Sequence, residues 1–267
     1  MLADPLEQCC PNPYDSALAR EHSTSATPVD GALVPSHQSF PASELQEFVH
    51  DDFRALVLNP KFPCVAAKGA FHRGDYRMGL YGDMGSPEAT AGLARDLFQF
   101  VQAQSRQAET AFSTFVASFT GPGALDEAAF EQALWRQLQA LHDLDKEHCG
   151  WTEGVSADAD NAHFGFSFAE RAFFVVGLHP ASTRWARRFA WPTLVFNAHF
   201  QFDKLKADGR YSPLQKVIRT RDMALQGSLN ANLADFGERS EARQYSGRVT
   251  EDGWRCPFHA ATNGGKT

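Results

Sequence analysis

Residues 163–178 of the chain, HFGFSFAERAFFVVGL, contain the pattern that decides the fold. Phenylalanine occupies every second position of residues 163–168, which is typical of a strand with one buried face. Residues 172–178 form a continuous apolar run, which indicates a strand buried on both faces near the middle of a sheet. Residues 193–196, TLVF, predict a third strand after an arginine-rich turn.

Four other segments show the helical spacing of apolar residues. Their predicted starts are Ser43, Ser86, Asp126 and Leu214. Ser43, Ser86 and Asp126 are residue types that commonly cap a helix N-terminus, and Pro87 suits the first turn of the second helix. In the first helix we expect Leu45, Phe48 and Phe53 to line one side.

Between the first two predicted helices, residues 65–70 and 76–82 predict a pair of strands around the turn Arg73-Gly74-Asp75. Since the helices cluster along the chain and the strands are arranged as hairpins, the α+β class is favoured over a doubly wound α/β fold. We therefore expect a single domain with a mainly antiparallel sheet packed by helices.

The composition changes along the chain. Residues 1–42 are rich in Pro, Ser, Asp and Gly without a period, which predicts an irregular N-terminal arm. Residues 43–260 are predicted to form the functional domain, and residues 261–267 a disordered tail.

The charge balance of 25 Lys and Arg against 32 Asp and Glu gives a net charge of −7, which argues against a nucleic-acid binder. The longest apolar run, residues 172–178, is far shorter than the ~20 residues of a membrane span. The N-terminus shows no secretory leader pattern. Five cysteines without a CxxC motif predict reduced thiols in the cytoplasm.

Three short groups could hold a cofactor. Cys64 follows Phe62-Pro63 at the start of a predicted strand, although a buried cysteine is usually just a small hydrophobe. His179 follows the central strand, where side chains often face a ligand crevice. His199 lies among phenylalanines, an environment that suits the face of a haem but also an ordinary core. The predicted pocket wall consists of Phe196, Phe200 and Phe202.

Charged and amide side chains supply candidates for binding anions and cations. The arginines that could pair with haem propionates or an acidic substrate are Arg184, Arg187, Arg188, Arg219 and Arg221. The residues that could recognise a cationic guanidinium or other polar substrate group are Asp222, Glu238, Glu241, Asn197 and Asn230. Each of them could equally be a solvated surface residue. The motifs GxGxxG, GxxxxGK[ST] and GxSxG are absent, so nicotinamide, P-loop and α/β-hydrolase chemistry are disfavoured.

Several long blocks together resemble the YqcI/YcgG family. These are FPC at 62–64, GLHPASTRWARRFAWPTLVFNAHFQFDKLK at 177–206, VIRTRD at 217–222, LQGSLN at 225–230, DFGERSEARQYSGR at 235–248 and WRCPF at 254–258. Their order and length are more specific than any single motif. The family resemblance extends over residues from about 45 to 258, and within the family the chain resembles the haem-dependent N-hydroxylases of guanitoxin and D-cycloserine biosynthesis.

The resemblance implies a haem b protein, with protoporphyrin IX iron bound at the junction of sheet and helices. It implies hydroxylation of a guanidino or amino nitrogen of an arginine-like small molecule, with O2 and reductant or with peroxide. An external reductase or ferredoxin would donate electrons, and a homodimer is compatible with the sequence. As iron ligand we consider His199 first, His179 second and Cys64 third.

Two other interpretations remain open at the level of sequence. The protein could bind or sense haem without turnover, because binding a cofactor does not by itself give catalysis. It could instead hold non-haem iron with His179, His199 and a carboxylate such as Asp203 or Glu241.

Overall fold

The computed structural model describes residues 11–36, 41–106, 112–235 and 237–261, and its centre is one mixed sheet. In the described residues seven strands form it, in the order β2-β1-β3-β4-β7-β6-β5. Their bounds are β1 Ala26–Val29, β2 Ala32–Pro35, β3 Tyr76–Asp83, β4 Thr114–Gly121, β5 Phe166–Phe168, β6 Arg171–Leu178 and β7 Thr193–Ala198. The pair β3–β4 is parallel and the other neighbouring pairs are antiparallel. The predicted α+β class with a mainly antiparallel sheet is confirmed.

The helices of the described residues begin largely where the sequence predicts. They are α1 Ala17–His22, α2 Glu44–Leu58, α3 Val65–Arg73, α4 Pro87–Arg106, α5 Glu127–Asp145, α6 His199–Ala207, α7 Tyr211–Gln226 and α8 Ala242–Tyr245, with a single 3-10 turn at Trp185–Arg187. The side chains of Ser43, Ser86 and Asp126 each accept a hydrogen bond from the amide three residues later, at 3.2, 3.1 and 2.8 Å. These bonds satisfy amides that have no partner inside the helix. All three predicted starts are confirmed.

One face of the sheet is packed by α4 and α5. Leu97 of α4 and Leu134 of α5 are fully buried in one cluster with Phe115, Phe173 and Phe196 of the strands. Since alternate strand residues point to the same face, these phenylalanines form a continuous apolar layer. Burial of each is worth roughly 1.5–3 kcal/mol, so this layer holds the two long helices on the sheet.

The opposite face is covered unevenly. Over β3 and β4, Val49 of α2 and Phe71 of α3 are buried in a second cluster with Val116. Over β6 and β7, Val176 and Val195 are only partly buried. This second half of the face borders a cavity, described below, that positions the candidate site.

The predicted strand at residues 65–70 is wrong, because the segment belongs to helix α3. The thiol of Cys64 accepts a hydrogen bond from the amide of Ala67 at 3.5 Å and caps the helix, and Gly74 ends it at φ 73°. A short apolar run does not distinguish a strand from a buried helix by its period. The neighbours of β3 are instead β1 and β4, which the sequence pattern does not reveal.

The N-terminal arm is not irregular over residues 11–36, which contain α1 and the hairpin of β1 and β2. The buried carboxylate of Asp96 in α4 accepts hydrogen bonds from the amides of Thr24 and Ser25 at 2.8 and 2.9 Å and from the hydroxyl of Tyr81 at 2.9 Å. These contacts fasten the arm to the domain. Residues 1–10, 37–40 and 262–267, which complete the predicted arm and tail, lie outside the described residues.

The predicted apolar side of the first helix is only partly correct. Phe53 is buried, whereas Leu45 and Phe48 are 43% and 62% exposed. The buried face of α2 also contains Val49 and Val57, which lie one turn before and one turn after Phe53 on the same side of the helix.

Candidate functional site

A cavity of about 620 Å³ lies over β6 and β7, on the side of the sheet away from α4 and α5. Its floor contains Phe174, Val176, Val195 and Asn197, which alternate along the two strands with residues of the opposite core. A volume of this size is within the range of pockets for small ligands and cofactors. The apolar floor favours a flat hydrophobic ligand.

Helix α7 lines the cavity with one side. Leu214, Ile218 and Asp222 recur at four-residue spacing and all border the cavity. No residue of this sixteen-residue helix is fully buried. Since a helix in a protein gains most of its stability from packing its apolar face, α7 would gain stability from a ligand beneath it.

Cys64 reaches the cavity from the N-terminus of α3. Burial raises the pKa of its thiol, while the backbone amides of Ala67 and Ala66 oppose that shift. The next residues of α3 that border the cavity, Ala66, Ala67 and Ala70, are small. They add little bulk to this part of the cavity wall, which Cys64 also lines.

His199 and Glu241 form a pair at the cavity wall. The Nε2 atom of His199 lies 3.0 Å from Oε1 of Glu241, and the same carboxylate oxygen accepts a hydrogen bond from the hydroxyl of Tyr245. The two side chains are 14% and 7% exposed. Burial raises the pKa of Glu241, and the contacts with His199 and Tyr245 oppose the rise.

Arginine side chains line the cavity near the C-terminal end of β6. Arg184 pairs with Asp222, and both side chains are largely buried at the cavity. Arg187 instead donates to three backbone carbonyls, those of Gly177, Tyr245 and Gln244, at 3.1, 2.9 and 3.0 Å. Burial lowers the pKa of Arg187 to about 10, because the charged form lacks water and a hydrogen-bonded carboxylate. This end of the cavity therefore favours an anionic group.

The cavity brings together most of the residues that the sequence singled out. Those that line it are Cys64, His199, Arg184, Arg187, Arg219, Phe200, Phe202, Asp222, Glu241, Asn197 and Asn230. They come from strand β7, helices α6 and α7, the 3-10 turn and the connections between elements, so no local pattern reveals that they share one space.

His179 does not border this cavity, which corrects its assignment as a pocket residue. Its side chain is fully buried on the α5 side, where the ring stacks on Phe130 with centroids 4.3 Å apart. Burial lowers the pKa of this imidazole. A group bound in the cavity would be separated from His179 by the sheet.

Four other candidates also lie elsewhere. Phe196 points into the core beside Phe173, because it alternates with the cavity residues of β7. Arg188 is exposed and stacks over Trp185 at 4.1 Å. Arg221 donates to the carbonyl of Phe62 at 3.1 Å and fastens the loop before α3. Glu238 is exposed and accepts a hydrogen bond from the amide of Asp235 at 3.0 Å.

The sequence interpretation missed several residues of the site. Ala66, Ala67 and Ala70 line the cavity but were assigned to a strand at 65–70. Arg171 and Arg239 also line it, and no motif in the surrounding sequence distinguishes them. Phe174 and Val176 alternate along β6 with the core residues Phe173 and Val175. This period of two identifies the cavity floor once the face that packs against α4 and α5 is known.

The alternative site with non-haem iron does not match the arrangement of donors. In the described parts of the chain, no group of three His, Cys, Asp or Glu side chains is placed to hold a metal ion. The two histidines of the predicted triad lie on opposite sides of the sheet, as shown above.

Fold and cavity together define an α+β protein with one sheet and a largely apolar cavity, which has Arg187 and the Arg184–Asp222 pair at one end and the His199–Glu241 pair at the other. The chain belongs to the YqcI/YcgG family, whose model matches residues 53–259. It is 27% identical over 237 residues to a Bacillus subtilis (strain 168) protein described as the uncharacterized protein YqcI, covering 85% of this chain and 91% of that relative. No solved structure gives a significant match.

Within the part of the chain that the structure describes, no helix is both long enough and apolar enough to cross a membrane.

Proposed function

We propose that the protein is a haem-dependent N-oxygenase that hydroxylates a guanidino or amino nitrogen of an arginine-like small molecule. The observation that supports this most is the single cavity that combines an apolar floor, the thiol of Cys64 and the guanidinium of Arg187. A haem needs these three features: flat apolar walls, an axial ligand and cations for its propionates.

The chemistry of the lining fits a haem. Val176 and Val195 of the sheet offer branched apolar surface, and Ala67 of α3 leaves room on the side of the sulfur. Arg187 would pair with a propionate, because its guanidinium donates only to carbonyls and a carboxylate would be a stronger acceptor.

We assign the iron to Cys64 in preference to His199. The Nε2 atom of His199 is already in contact with Glu241, whereas the sulfur of Cys64 accepts a hydrogen bond from the backbone amide of Ala67. Backbone amides at a helix N-terminus stabilise a thiolate. Coordination would overcome the rise in the pKa of the Cys64 thiol that burial causes, since a metal deprotonates a bound thiol.

When bound, haem supplies the activation of dioxygen or peroxide, and in the dioxygen reaction one oxygen atom enters an N–H bond while the other leaves as water, using two electrons and two protons. The chain's own residues do the rest. Phe174 and Val195 exclude water from the chamber, and Glu241 accepts a hydrogen bond from the cationic head of the substrate. Asn197, also at the floor, offers an amide to the uncharged part of the substrate.

The source of electrons and the compartment are part of the same proposal. The sequence has no GxGxxG motif, so an external reductase or ferredoxin would provide the electrons. The free thiols of Cys64, Cys149 and Cys256 suit the reducing cytoplasm. A homodimer is a further expectation that sedimentation would test.

The decisive experiment loads the purified chain with hemin and records its absorption spectrum, oxidised and then reduced under CO. We expect a Soret band with the red-shifted ferrous–CO position of thiolate ligation. The loaded protein is then incubated with arginine, reductant and O2, and mass spectrometry should find a product heavier by one oxygen atom. Haem binding without that product over a panel of guanidines would favour a sensing protein, and the absence of any Soret band would refute the proposal.

A further inference from the structure

The carboxylate of Glu241 is held from one side only. Glu241 precedes α8, is 5% exposed and borders the cavity. Its Oε1 atom accepts from the hydroxyl of Tyr245 and contacts Nε2 of His199 at 3.0 Å. Both contacts are made through Oε1, so Oε2 is the oxygen that is left to meet a ligand.

Tyr245 connects this carboxylate to the sheet. The tyrosine is fully buried one helical turn after Glu241, and its hydroxyl receives a hydrogen bond from the amide of Phe166 at 3.2 Å. The same hydroxyl lies 3.0 Å from the carbonyl of Phe173. Since β5 and β6 fix both backbone groups, the hydroxyl has one position, and through it Oε1 of Glu241 has one as well.

The imidazole of His199 packs against Gly165, a position without a side chain. A Cβ atom at Gly165 would lie 2.8 Å from Cε1 of His199 and 3.2 Å from Cγ1 of Val155. The 2.8 Å contact is shorter than real Cβ contacts, so a larger residue at this position would have to displace the ring. The segment before β5 is therefore shaped around the histidine that contacts Glu241.

We propose that Tyr245 is a positioning residue, which with His199 holds Glu241 so that Oε2 faces the cavity as a fixed acceptor for the cationic N–H group of the substrate. This inference rests on the proposed function, since it concerns the substrate of that cavity. The hydrogen-bond chain ends at backbone groups of the buried hairpin and does not lead to solvent through Tyr245. Its geometry therefore suits the orientation of a carboxylate.

The position of the carboxylate matters because a charged acceptor recognises a cation only along the direction of its free oxygen. A hydrogen bond to a charged group is roughly twice as strong as one between neutral groups, and a misdirected one contributes little. Loss of the Tyr245 hydroxyl should free the carboxylate to rotate toward Lys206, whose positive charge also acts on it. Selectivity for a cationic over a neutral substrate should then fall.

The test measures binding of arginine and of citrulline, its uncharged analogue, by calorimetry to the hemin-treated full chain. For Tyr245→Phe we expect about a tenfold loss of affinity for arginine and little change for citrulline, consistent with one hydrogen bond to a charged group. A merely structural tyrosine would weaken both ligands equally. Tyr14→Phe is the matched control, because Tyr14 is also buried and bonded to a carboxylate, Asp145, but does not border the cavity.

A second variant keeps the inference testable if Tyr245→Phe does not fold. Glu241→Gln retains the side-chain volume and should abolish the preference for arginine over citrulline. An unchanged preference in either folded variant would overturn the inference. Wild-type protein that shows a Soret band but no preference for arginine would overturn it while leaving haem binding intact, whereas arginine binding without a Soret band would refute the cofactor alone.

Discussion

Arg187 donates a hydrogen bond from Nη1 to the backbone carbonyl of Tyr245 at 2.9 Å, across 58 residues of sequence. The contact joins the cationic end of the cavity to the segment that presents Glu241. It also leaves Arg187 without a hydrogen-bonded carboxylate, since the nearby Asp222 pairs with Arg184. A buried guanidinium with only carbonyl acceptors is costly unless a ligand supplies the anion.

Arg187→Leu should weaken hemin binding about tenfold or more, because a propionate would lose a charge-assisted hydrogen bond. The measurement is a titration with hemin followed at the Soret band. Hemin dimethyl ester, which lacks the two negative charges of the propionates, should bind to the wild type and to the variant with the same affinity. Arg188→Leu, next in sequence but exposed, is the control. Equal hemin affinities for all three proteins would exclude a propionate contact at Arg187.

Cys64→Ser should leave α3 folded, since serine is a good N-cap, while removing the thiolate. We expect unchanged circular dichroism but loss of the thiolate-type ferrous–CO band. Cys256→Ser serves as the control, because Cys256 lies in the core cluster outside the cavity. If His199→Ala, and not Cys64→Ser, abolishes the haem spectrum, the iron ligand is the histidine.

Gly165→Ala should lower the free energy of unfolding by about 1–3 kcal/mol, because the new methyl group would overlap His199. Urea unfolding measures this change. Gly150→Ala is the matched control, since nothing lies within 4 Å of a Cβ at that position. Similar stabilities of the two variants would show that the ring of His199 moves aside without cost.

The imidazole of His179 should contribute an acid-dependent loss of stability. Burial lowers the pKa of this imidazole below its ordinary value of 6.5, so the unfolded chain binds the proton more tightly than the folded one. The contribution of neutral His179 to stability is therefore complete above pH 6.5 and is lost as the pH falls from 6.5 toward the folded pKa. In that interval the slope from this one group is at most about 1.4 kcal/mol per pH unit.

His179→Leu should accordingly reduce the slope of unfolding free energy against pH between about 6.5 and 5, in denaturant titrations at several pH values. Exposed His72 supplies the control, and His72→Leu should leave the slope unchanged. Parallel curves for His179→Leu and wild type would mean that His179 is protonated equally in both states.

The sequence predicts the local features of this fold well. The starts at Ser43, Ser86 and Asp126 depend on a side chain and an amide three residues apart, so neighbouring residues suffice. The strand at 172–178 likewise follows from its own composition. The prediction of a strand at 65–70 is wrong because the apolar residues of this segment are compatible with a strand or a helix. Only packing against α2 selects the helix.

The candidate site is less accessible to such reasoning. Phe196 and Asn197 are adjacent in β7, yet the first belongs to the core with Phe173 and the second to the cavity. Which of two neighbours faces a ligand depends on where α4 and α5 lie, and that information is spread over the chain. The same holds for His179 and His199, which look alike in sequence and end on opposite sides of the sheet.

The sequence by itself determined the family, the α+β class, most helix starts and the set of chemically capable residues, because these depend on short-range patterns and on matched blocks. Only the tertiary structure decided which of those residues meet. The register of β6 against β7 and the position of α3 bring Cys64, His199 and Glu241 to one chamber and direct Phe196 away from it. A side chain's face is set by long-range packing, which no local pattern contains.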